Sequence, residues 1–70
     1  MRRALQWLLI WFNFNEQRRR IDLQILWPAC KENARDIDHA RAAFAVHAFN
    51  DPAWASLGHD EIAKRISALV

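Results

Sequence analysis

The chain has 70 residues, short for a domain, and a chain of this size buries only about 60% of the surface it exposes when unfolded. Its hydrophobic share of 53% is diluted by alanine, and one cysteine, Cys30, excludes an internal disulfide. A formal net charge of +2 is too mild to point to a nucleic-acid partner, and one Gly with two Pro is too few turn residues for a β fold. The composition predicts an all-α chain, a single small helical domain over 1–70, rich in the good helix formers Ala, Leu, Arg, Gln and Glu.

The first predicted element is a hydrophobic helix over about 3–13. Leu5, Leu8, Leu9 and Phe12 recur at helical spacing, and Trp7, Trp11 and Phe14 make a second apolar face beside them. Such a helix is covered on most sides or meets another chain. Arg2-Arg3 followed by an apolar run imitates the start of a signal peptide. No small-residue cleavage site follows, and the run is far shorter than a membrane span. The chain therefore reads as cytoplasmic, with Cys30 reduced. Its bias toward Arg over Lys and toward Ala is associated with bacterial and phage sequences.

Asn13 and Glu16 have capping-box spacing and Asn15 is a second capping residue, so a break or bend is expected near 13–15, with a continuous helix as the alternative because no Gly or Pro enforces the break. A long helix is then predicted over about 16–49, kinked near Pro28. Leu23, Cys30, Ile37 and Phe44 fall seven residues apart along it. The pairs Arg18/Asp22, Arg35/Asp38 and Asp38/Arg41 mark the expected solvated side. Strand readings exist for 7–14 and 21–26, where Trp and Phe are dense and Ile21–Ile25 alternates.

Asn50-Asp51-Pro52 is the strongest punctuation. Asp51 is a good N-cap and Pro52 a good first helical residue for a short helix over about 52–57, which Gly58 ends. A last helix follows over about 60–69, capped by Asp60, with Ile62, Ile66 and Leu69 as its apolar face. The first helix is expected to fold back on the long one, with the two short helices covering its far end.

The chemistry-bearing residues are sparse. Ser56 and Ser67 have no glycine-rich elbow, and Cys30 and His47 would lie about 25 Å apart on one straight helix. No catalytic function, cofactor, metal or small-molecule substrate is expected. Asp36-x-x-His39 has the spacing of one half of a di-iron bundle motif, without the second half. Arg18, Arg19 and Arg20 are candidate phosphate contacts, enough only for weak, salt-sensitive binding. Leu57-Gly58-His59-Asp60-Glu61-Ile62-Ala63-Lys64-Arg65-Ile66 resembles the first helix of helix-turn-helix DNA-binding units. That resemblance implies a nucleic-acid-binding regulator, but no recognition helix follows within the sequence.

Trp7, Trp11, Phe14 and Trp54 are the candidate interaction residues, because Trp is enriched in the centres of interfaces, although it also fills small cores. The expected function is a non-catalytic adaptor, inhibitor or assembly factor that binds a protein partner or a second copy of itself, as a homodimer or higher. The alternatives are the nucleic-acid regulator and a membrane-surface protein held by residues 1–14, where Arg flanks the tryptophans.

Overall fold

The computed structural model describes the backbone of residues 2–70, and the side chains of all of these except 2–6, 8, 9 and 12. The chain is all-α, 84% helical, with no strand among the described residues. The strand readings of 7–14 and 21–26 are thus overturned: both segments are helical. α1 spans Arg2–Ile21, a π-turn spans Asp22–Leu26, and α2 spans Trp27–Asn33. α3 spans Ile37–Asn50, α4 Pro52–Ala55 and α5 His59–Ser67.

The sequence-based boundaries move in two places. No break occurs at 13–15, because neither Gly nor Pro enforces one and Asn13 and Asn15 are tolerated inside a helix. α1 and α2 join through the π-turn into one rod, whose 32 residues at about 1.5 Å each match the 50 Å length of the molecule. The break falls instead at Ala34–Asp36, in the middle of the expected 16–49 helix. Ala34 and Asp36 adopt extended backbone, and Asp36 caps α3 by accepting a hydrogen bond from the His39 N–H at 2.8 Å. The chain then reverses, so α3 runs antiparallel to the rod. Asp22 meets His47 and Trp27 meets Phe44 across the pair. The seven-residue repeat of Leu23, Cys30, Ile37 and Phe44 is consequently split between two helices. Phe44 is buried, Cys30 is half-buried, and Leu23 and Ile37 are exposed.

The helix continues through Pro28, with the π-turn immediately before it. Proline cannot donate to the helix ladder, and its ring crowds the carbonyl four residues back. Across the wider turn the Trp27 N–H bonds the Asp22 carbonyl, five residues back rather than four. That shift relieves the crowding without ending the helix.

The core lies between the rod, α3 and the two short helices. Phe44 is its centre, with Trp27 edge-on at 5.9 Å and Trp54 edge-on at 5.4 Å between ring centroids. Ala40 and Ala48 let α3 approach its neighbours, and Ile62 and Ile66 seal the side covered by α5. Asp51 caps α4, its carboxylate accepting from the Ala53 N–H at 2.8 Å, with Pro52 opening the helix as the sequence predicts. Gly58 has φ +86° and is the N-cap of α5, so Asp60 falls in the first turn rather than at the cap. The Leu69 carbonyl is held by the Arg41 guanidinium at 2.6 and 2.9 Å, and the Val70 carbonyl by the Trp27 indole N–H at 3.2 Å.

Candidate functional site

Two features stand out, and both are built on α1. One is a half-buried polar cluster at its end. The other is the apolar face of its outer half.

The cluster gathers residues from α1, the π-turn, α3 and the cap of α4. Asp22, buried at the first position of the π-turn, accepts two hydrogen bonds at Oδ2. They come from Trp54 Nε1 at 2.8 Å and from His47 Nε2 at 2.9 Å. A carboxylate only accepts, so His47 carries its proton on Nε2. The same His47 nitrogen lies 3.6 Å from Asp51 Oδ2. Arg18 spans both carboxylates, with nitrogens 3.9 Å from Asp22 and 3.7 Å from Asp51. Asp22, His47 and Asp51 offer ligand-type atoms within 4.8 Å of one another. These atoms are already engaged by the indole N–H, the imidazole and the guanidinium. The cluster therefore fastens α1, α3 and α4 together.

The arginines of the candidate phosphate run part company here. Arg18 faces Asp22 and Asp51, and Arg20 pairs with Glu16 at 3.0 Å. Arg19 is buried, and its Nη1 donates to the Ala53 carbonyl at 2.6 Å, leaving Nε without a partner. Burial pulls the Arg19 pKa below its ordinary value, Arg65 adds to that, and Glu16 opposes it. Arg19 is thus unavailable to phosphate, because the helix turns it toward α4. Asp22 likewise leaves the solvated side on which its spacing from Arg18 had put it. The cluster itself was not anticipated from the sequence. The visible signal was His47 and Asp51 at i, i+4, with an aspartate-capped tryptophan helix directly after.

Trp54 is fully buried in the core, which removes it from the interaction candidates. Asp36 and His39 are engaged in capping, and the His39 ring accepts at Nδ1 from the Arg35 N–H at 3.3 Å. Cys30 and His47 stand on facing helices rather than on one straight helix. Cys30 lines a cleft with His39, and burial raises its thiol pKa, which makes it a poor nucleophile. α5, the helix-turn-helix-like segment, packs Ile62 and Ile66 against the core as a docking helix.

The described side chains of α1 before Asn15 all face solvent. Trp7, Ile10, Trp11 and Phe14, spaced i, i+3, i+4, i+7, are between 56% and 72% exposed, and Trp11 stacks on Phe14 at 6.0 Å. The companion face, Leu5, Leu8, Leu9 and Phe12, lies outside the described side chains. The expectation that the first helix folds back on a separate long helix is replaced by a projecting one. α1 is continuous with α2, and it meets the body at the α4 segment, where Trp11, Phe14, Asn15 and Arg18 line a cleft with Asp51, Pro52 and Ala53, and Arg19 bonds the Ala53 carbonyl. Among the described residues no helix is long and apolar enough to cross a membrane.

Comparison with known proteins adds no relative: no family model, no curated protein and no solved structure matches the chain.

Proposed function

We propose that this chain is a non-catalytic, cytoplasmic interaction protein, an adaptor, inhibitor or assembly factor, that holds a protein partner with the outward face of α1. The observation that carries the reading is the contiguous exposure of Trp7, Ile10, Trp11 and Phe14. A patch of this kind covers several hundred Å², as much as the largest patches tolerated on soluble monomers, and such patches mark binding sites. Aromatic anchors of this type supply most of the affinity in protein interfaces. The polar cluster supports the reading from the other end, since it sets α1 rigidly on the body and leaves the outer half to project.

The membrane-surface reading has one observation in its favour: exposed Trp7 and Trp11 lie between Arg2-Arg3 and the exposed Arg20. The nucleic-acid reading is weaker, since Arg19 is committed inside the fold. A photo-crosslinking amino acid placed at Trp11 and activated in the cell tests the proposal. Protein adducts are expected at Trp11 and not at Glu61 on α5. Lipid adducts alone, or none, would refute it.

A further inference from the structure

The exposed apolar residues of the rod do not stop at Phe14. Ile21 and Ile25 are also exposed, as is Gln17 between Phe14 and Ile21. Trp7, Ile10, Phe14, Gln17 and Ile21 follow alternating steps of three and four, the spacing of a coiled-coil seam. The next step is four to Ile25, and it crosses the π-turn. A π-turn takes about 4.4 residues per turn, so four residues there make nearly one full revolution and return Ile25 to the same line. The seam spans about 27 Å at 1.5 Å per residue. The residues of the rod that bury against the body, Asn15, Arg19, Asp22 and Trp27, lie on the other flank.

We infer that this seam pairs with the same seam of a second copy, antiparallel, about a two-fold axis between Phe14 and Gln17. The inference rests on the interaction reading above and names its partner. The order of residues argues for self-pairing. Reversed against itself, the seam sets Trp7 against Ile25, Ile10 against Ile21, and Phe14 against Gln17 of the second copy. Every layer except the two beside the axis is then wholly apolar. The two Gln17 amides sit about 5 Å apart along the axis, within reach of one another. One polar residue at a seam position fixes register and orientation in paired helices. A lipid surface would leave Gln17 without that partner. The flanking charges raise no obstacle, since Arg20 falls near Asn13 of the second copy and Arg18 is turned to Asp22 and Asp51 of its own chain. Trp7, Ile10, Trp11, Phe14, Ile21 and Ile25 together offer on the order of 800 Å² per copy, the share each partner gives to an interface of ordinary size. A closed two-fold pair is the commonest form such contacts take.

The test combines mass and geometry. Light scattering behind a sizing column at ~100 μM is expected to give twice the chain mass. The exposed pair Ile10→Gln with Phe14→Gln is expected to weaken association more than about tenfold while circular dichroism stays unchanged. For geometry, a spin label is placed at Glu32→Cys in a Cys30→Ala background. Antiparallel pairing sets the two labels about 50 Å apart, whereas parallel pairing sets them within about 25 Å. A monomer at that concentration overturns self-pairing. If photo-crosslinks from Trp11 to another protein persist in that case, the broader interaction reading survives. A dimer with the short label distance, a dimer indifferent to the Gln substitutions, or a monomer that binds anionic phosphatidylglycerol vesicles each overturns the inference.

Discussion

Asp22→Asn is the sharpest probe of how the rod is fixed to the body. The native Oδ2 accepts from Trp54 Nε1 and His47 Nε2 at 2.8 and 2.9 Å. Hydrogen bonds to a charged group contribute about 1.5–3 kcal/mol each, against about 1 for neutral ones. The asparagine oxygen can keep both donors but removes the charge. Its amide nitrogen then faces the Arg18 guanidinium as a second donor. The expected loss is about 2–3 kcal/mol, with the half-exposed Arg18 contact contributing under ~1 kcal/mol of it. Asp22→Ala leaves both donors buried without an acceptor and costs about 3–5 kcal/mol. A chain of this length has about 4–10 kcal/mol in total, so the Asn variant folds and the Ala variant approaches unfolding. Urea denaturation followed by circular dichroism measures this. With a slope near 1 kcal/mol/M, the Asn variant should lose about 2–3 M of midpoint, and Arg18→Ala under about 1 M. A loss below about 0.5 kcal/mol for Asp22→Asn would refute the argument, as would an Arg18→Ala loss equal to it. The second result would mean that long-range charge, not the two N–H donors, holds the cluster.

Three further outcomes are expected. Gly58→Ala should cost about 1–3 kcal/mol and lower Tm by several degrees; φ is +86° with ψ 156°, backbone that almost only glycine adopts, and a methyl group would meet nothing within 4 Å, so the loss is backbone strain alone. Pro28→Ala should be neutral or stabilising by up to about 1 kcal/mol, because Pro28 is exposed and the substitution restores a backbone donor; a loss above ~2 kcal/mol would show that the π-turn depends on proline. The Cys30 thiol pKa is raised by burial above an ordinary value of 9.0, so the folded chain holds its proton where the unfolded chain releases it. That contribution is complete below about pH 9 and is lost as pH rises through the folded value; disulfide-reagent labelling at pH 8 should run more than about tenfold slower than in denaturant.

The helical class was legible because Gly and Pro are scarce and apolar spacing is regular, and the Asp51-Pro52 start was legible because its capping chemistry is local. The turn at Ala34–Asp36 was hidden. It contains neither Gly nor Pro, and the seven-residue repeat carries across it in sequence. Only the Asp36 side chain, three residues before His39, marks a helix start, and the same spacing is that of a metal-ligand pair. The polar cluster was hidden for a different reason. Arg18 and Asp22 look like a solvent-exposed pair at i, i+4, and only the tertiary meeting of three elements buries the aspartate. Trp27 and Trp54 could not be told from Trp7 and Trp11 by residue type, since the same indole serves a core or a surface. Their burial follows from where α3 and α4 land.

The π-turn has a consequence for how this molecule could diverge. It is one residue more than a regular helix needs, placed between the part of the rod that packs on α4 and the part that packs on α3. Deleting a single residue within 23–26 would let ordinary winding resume with the flanking segments in almost the same phase, because five residues at about 4.4 per turn and four at about 3.6 per turn sweep nearly the same angle. Point substitutions alter what the projecting arm touches. Loss of one codon in the π-turn would leave its bearing nearly unchanged, whereas loss of one codon in a regular stretch of the rod would turn it by about 100°, so the π-turn is where the rod tolerates a change of length.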